Sequence, residues 1–150
     1  MTYEAWLELL KRLEHTSHQE DIDLLKNEPY NENIYPLLVP KIKNMLIEKF
    51  NRYINYMISD LETIFSDENE LDLALVTLKK NVNVIISLID NKQFKPEDKE
   101  EITRKVRSGC DGIYKSLYEA AFDASDDGVY NSIIKRNRIK WSDENELPRN

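Results

Sequence analysis

Between Val39 and Phe65 the apolar residues return every third or fourth position without a break, a period that turns into a continuous buried face only on an α-helix. Val39, Ile42, Leu46, Phe50, Tyr53, Met57, Leu61 and Ile64 form one stripe; Ile47, Ile54, Ile58 and Phe65 form a second beside it. Two adjacent stripes require neighbours on two sides. The spacing therefore predicts a central helix over about 37–65, opening near Leu37 or Pro40, because proline is tolerated in the first helical turn.

The same period organises the rest of the chain. Asp67 and Glu70 have the spacing of a capping box and open a second long helix, about 68–90, with Leu71, Leu75, Leu78, Val82, Ile85 and Ile89 facing inward. A link this short makes the two helices an antiparallel hairpin. Pro96, followed by Glu97, Asp98, Glu100 and Glu101, starts a third long helix, about 97–124. Its inward residues are Ile102, Val106, Ile113, Leu117, Ala120 and Ala124.

Shorter helices are expected at about 3–14, after Thr2, with Tyr3, Trp6, Leu7, Leu10 and Leu13 inward. Another should follow the S-x-x-E of Ser17 and Glu20, with Ile22 and Leu25 inward, and a last one should cover about 127–138. Three glycines in 150 residues leave few tight turns and disfavour sheets. The expected fold is all-α: a single-domain bundle of about five to six helices over 1–141, with a polar tail at 142–150.

A net charge of −7 opposes broad contact with nucleic-acid phosphates. The lone Cys110 permits neither an internal disulfide nor a cysteine zinc site. The opening MTYEAWLELLKRLEH carries charges every few residues, unlike a signal peptide. Nothing approaches the apolar run a membrane span requires. A cytoplasmic protein without a membrane partner is expected.

Familiar chemistries find little purchase. His15 and His18 have H-x-x-H spacing, but they fall where one helix ends and the next begins, which spoils a shared ligating face. Asp123, Ser125, Asp127 and Gly128 match the first half of a calcium loop, yet its twelfth position, which needs a bidentate glutamate, is Ile134. There is no phosphate-binding glycine loop. No catalytic residue, metal or cofactor is assigned, and the chain is not expected to be an enzyme.

Surfaces say more. Tyr114, Tyr118 and Phe122 recur at i, i+4 and i+8 beside the charged face of the third long helix, the composition of an interface patch. Lys135, Arg136, Arg138 and Lys140 crowd together beside Trp141, a pattern that suits phosphates and stacked bases, a partner's acidic surface, or simply a helix C-terminus. Gly109, Gly112, Ser116 and Ala120 make a line of small residues along which another helix, the central one above all, could approach closely; Cys110 beside it reads as a small buried hydrophobe. The favoured function is a non-catalytic module that docks on a protein partner and modulates or inhibits it, of the immunity, antitoxin or anti-defence type. The alternatives are a nucleic-acid-associated regulator using the C-terminal basic segment, a metal-binding enzyme, and a homodimer closed through the tyrosine line.

Overall fold

Thr2 opens the first helix by satisfying one of the donors a helix start leaves unpaired: its hydroxyl accepts from the Ala5 N–H at 3.0 Å. The computed structural model describes residues 1–123 and 127–141. Its helices are α1 (Tyr3–His15), α2 (Gln19–Asn27), α3 (Tyr35–Ser59), α4 (Leu61–Ile64), α5 (Glu68–Ile89), α6 (Pro96–Asp123) and α7 (Asp127–Arg136), with no strand among the described residues. The fold is an all-α bundle. α3 stands at its centre and touches α1, α5 and α6; α2 lies on α1 and α5, and α7 on α5 and α6. One connected set of buried apolar side chains runs from Trp6 to Trp141.

Several local expectations are corrected. The central helix is not continuous to 65. Ser59 turns its hydroxyl onto the Tyr56 carbonyl at 3.0 Å, the acceptor the Asp60 N–H would use in an unbroken helix, a back-bond that weakens and bends helices. Asp60 bonds instead to the Met57 carbonyl at 3.3 Å, α3 stops, and the single turn α4 follows. The apolar phase survives the break, since Met57 and Ile64 are both buried, but Ile58 of the second stripe is 49% exposed. At its other end α3 begins earlier, at Tyr35, and Pro40 lies inside it. Pro36, whose carbonyl loses its helical donor to Pro40, is exposed along with Pro40 itself, so water can take the vacant acceptor.

Ser17 does not cap α2. The residue at the cap is His18, which makes no side-chain cap bond, and the first turn is held from outside: the Arg12 guanidinium donates to the Asp21 carboxylate at 3.2–3.3 Å. On α1 the inward set is Trp6, Leu9, Leu10 and Leu13, with Leu7 partly outside. On α6, Ala121 is fully buried where Ala120 was expected; Ala124 lies outside the described residues. Asp67 caps α5 as its spacing predicts, accepting from the Glu70 N–H at 2.8 Å.

Candidate partner-binding surface and the polar contacts around it

Residues four apart on a helix overshoot a full turn by about 40°, so a line at i, i+4, i+8 winds around the helix. On α6 that drift carries Tyr114, Tyr118 and Phe122 from the core to the solvent. Tyr114 is 3% exposed and Phe122 is 77% exposed, with Tyr118 between them. They line an open groove of about 930 Å³ with Asp111, Lys115, Glu119 and Arg138. Both signs of charge frame three aromatic rings there, of which Tyr114 is almost wholly buried.

Tyr114 belongs to the interior because the chain following α7 closes over it. Its phenolic oxygen accepts the Ile139 N–H at 3.1 Å, and the Arg138 guanidinium sits 4.9 Å from its ring centre. Burial pushes the phenol up to about 12. Ile139 and Trp141 are buried as well, with the Arg107 guanidinium 5.6 Å from the Trp141 ring centre. Tyr114 thus lines the groove while almost wholly buried, and Trp141 is buried beside α6.

The arginines of the basic segment pair with carboxylates of their own fold at the exposed surface. Asn137 and Arg136 both donate to Asp72 Oδ1, at 2.9 and 3.0 Å, and, Asn137 first, hold that carboxyl below its usual range. Arg138 lies 3.7 Å from Asp111. Lys135 and Lys140 remain exposed. Trp141, the aromatic of this segment, is buried and therefore not exposed for stacking.

The two glycines of the small-residue line differ. Gly109 faces the ring of Phe50 on α3, whereas nothing lies within 4 Å of the position a side chain would take at Gly112. Ser116 and Ala120 are half-buried. Cys110 is fully buried, and desolvation, with the Asp111 charge adding to it, pushes its thiol up to about 12. Such a thiol is inert as a nucleophile. His15 accepts from Arg52 at 2.7 Å through Nδ1, since a guanidinium can only donate, and His18 is exposed at the start of α2. Among the described residues no three His, Cys, Asp or Glu side chains gather as metal ligands. The Asp123–Asp127 segment falls outside the described residues and side chains.

Three polar contacts were not anticipated from the sequence. Lys49 is 1% exposed; its ammonium donates to the Leu13 carbonyl at 2.5 Å and the Thr16 carbonyl at 2.8 Å, at the negative end of α1. Burial, reinforced by the nearby Arg52 charge, lowers it to about 8, so it is still protonated at neutral pH. Arg52 adds a bond to the Glu14 carbonyl at 3.1 Å. At the start of α6, Asp98 receives the Tyr35 hydroxyl at 2.5 Å, the Lys95 N–H at 3.0 Å and the Lys43 ammonium at 2.8 Å. Finally Gln93, wholly buried, donates to the Glu28 and Pro29 carbonyls at 2.9 Å and accepts the Asn31 N–H at 3.2 Å.

No known protein family, characterised protein or solved structure matches this chain.

Proposed function

We propose that this chain is a non-catalytic binding module that docks on a protein partner and modulates it, in the manner of an inhibitor or immunity factor. The observation that carries this proposal is Phe122, 77% exposed at the open end of a groove it shares with Tyr118, Lys115, Glu119 and Arg138. Leaving an aromatic ring in water forfeits about 1.5–3 kcal/mol of available burial, and aromatic rings among mixed charges are the usual anchors of protein interfaces. The contacting set becomes Tyr118 and Phe122, with Lys115 and Arg138 at the rim.

The absence of any helix long and apolar enough to cross a membrane among the described residues, together with a buried lone thiol, is compatible with a cytoplasmic setting. Nucleic-acid binding loses its main support with the burial of Trp141.

The test is to capture partners from the source cell with wild-type protein and with Tyr118→Ser/Phe122→Ser, identifying them by mass spectrometry. A protein retained by the wild type and lost by a variant that still unfolds cooperatively is the expected result, since Tyr118 also packs partly against the core. Equal capture by both would remove this surface from consideration. Sedimentation of the two proteins shows in parallel whether the lost partner is a second copy of the chain.

A further inference from the structure

In a chain of net charge −7, one pocket gathers positive charge. It has a volume of about 580 Å³, lies between the loop after α2 and the loop before α6, and includes Lys26, Lys92 and Lys99 against the single carboxylate of Asp90. Three lysines against one aspartate leave a net of two positive charges. Asp90 is already engaged: Lys99 donates to it at 3.0 Å, and Lys99 first, with Lys26 adding to it, holds its carboxyl below the usual range. Lys26 is half-buried, and its ammonium bonds the Ser87 hydroxyl at 2.8 Å. An ammonium carries three donors, so it keeps capacity for an anion.

The walls of this pocket are fixed from behind. Gln93 ties the 28–31 backbone to the loop before α6 through the three bonds described above. Asn91, 2% exposed, accepts the N–H groups of Gln93 and Phe94 at 3.0 and 3.1 Å and donates to the Leu88 carbonyl at 2.8 Å. Gln93 thus holds the two loops at a set separation while Asn91 fixes the turn before α6 from within, the preorganisation a ligand site requires. At the rim stands Tyr30, 44% exposed, with its ring kept in place by an edge contact to Tyr35 at 5.8 Å. The volume falls within the range of small-molecule pockets.

We propose that this pocket binds a phosphate monoester carried on a flat aromatic group, the chemistry of a mononucleotide. A phosphate monoester brings about −1.5 to −2 charges at neutral pH and meets the surplus of two. Lys26 and Lys92 take its oxygens, and the ring lies against Tyr30. The site is separate from the α6 groove, and neither proposal depends on the other.

The experiment is a titration of the isotopically labelled full chain with AMP, inorganic phosphate and adenosine, followed by amide NMR shifts and calorimetry. AMP should saturate at millimolar concentration or below, moving amides of residues 26–31 and 90–99, with phosphate weaker and adenosine weaker still. Lys26→Gln/Lys92→Gln should weaken AMP at least about tenfold. Tyr30→Ser should erase the advantage of AMP over phosphate while leaving phosphate binding intact. The proposal is overturned if AMP does not saturate, if the lysine variant binds it equally, or if sulfate competes as well as AMP. Stronger binding of a 5′-phosphorylated oligonucleotide than of AMP would likewise overturn it in favour of a nucleic-acid end.

Discussion

The ring of Phe50 fills the space that a side chain at position 109 would need: a methyl built on Gly109 would stand 2.7 Å from Phe50 Cζ and nearer still to Cε2. Glycine in mid-helix costs about 1 kcal/mol against alanine, and here the close approach of α3 and α6 offsets that cost. Gly112, one turn further along the same helix, has no such neighbour.

The two glycines should therefore respond in opposite directions. Gly112→Ala is expected to raise stability by up to about 1 kcal/mol. Gly109→Ala gains the same helix propensity but must displace a buried ring, so a net loss of about 1–2 kcal/mol is expected, and Gly109→Leu should lose more. Urea unfolding measures all three, and Phe50→Leu should shrink the Gly109→Ala penalty.

Lys49 gives the fold a pH dependence of definite sign. Its ammonium is held at about 8 in the folded chain against 10.5 ordinarily, so between these values the unfolded chain binds more protons and stability rises with pH. Below about 8 the full cost of burying the charge is present, an order-of-magnitude 3 kcal/mol. Cys110, Tyr35 and Tyr114 are each held at about 12, above their ordinary values, and act oppositely: their contributions are lost as pH climbs towards 12. The wild type should gain stability on leaving pH 8 before declining. Lys49→Met should show the decline alone in urea midpoints across this range.

The contact of Tyr114 with Ile139 separates core from surface on one helix line. Tyr114→Phe leaves a buried N–H without its acceptor and should cost about 1–3 kcal/mol. Trp141→Ala should cost about 3–5 kcal/mol. Phe122→Ser should stay within about 0.5 kcal/mol of wild type. Thermal unfolding of the three variants tests the division; a large loss for Phe122→Ser would return that residue to the core.

Gln93→Ala removes three bonds from a fully buried position and leaves loop carbonyls unpaired. A loss of about 2–3 kcal/mol is expected, with faster amide exchange at Asn31, whose N–H loses its acceptor. Unchanged exchange there would show that the 28–31 loop is held by something other than Gln93.

Helix positions were legible because burial follows period: the α5 stripe was read from spacing alone, and every member of it is buried. Breaks and caps were less so, because they depend on single side-chain bonds. Ser59, whose hydroxyl bonds the carbonyl where α3 stops, looks like any exposed serine. Lys49 did leave a signal, since it follows Leu46 by three and Met45 by four on the inward side of α3, but a lysine in that place is ordinarily assumed to reach for water. The spacing of Tyr114, Tyr118 and Phe122 shows a line but not which of its members the chain after α7 covers. Gln93 sits where no period exists, so its role emerges only once two loops distant in sequence are adjacent.

The seal made by Ile139 and Trp141 over α6 also orders events in time. During synthesis all seven helices leave the exit tunnel ahead of the residues that cover Tyr114, so this side of α6 stays open to water until residue 141 has cleared the tunnel. The nascent chain passes through a stage in which every long helix is present and an apolar flank is still exposed. Chaperone contact should be confined to that interval and should end with the emergence of a few late residues.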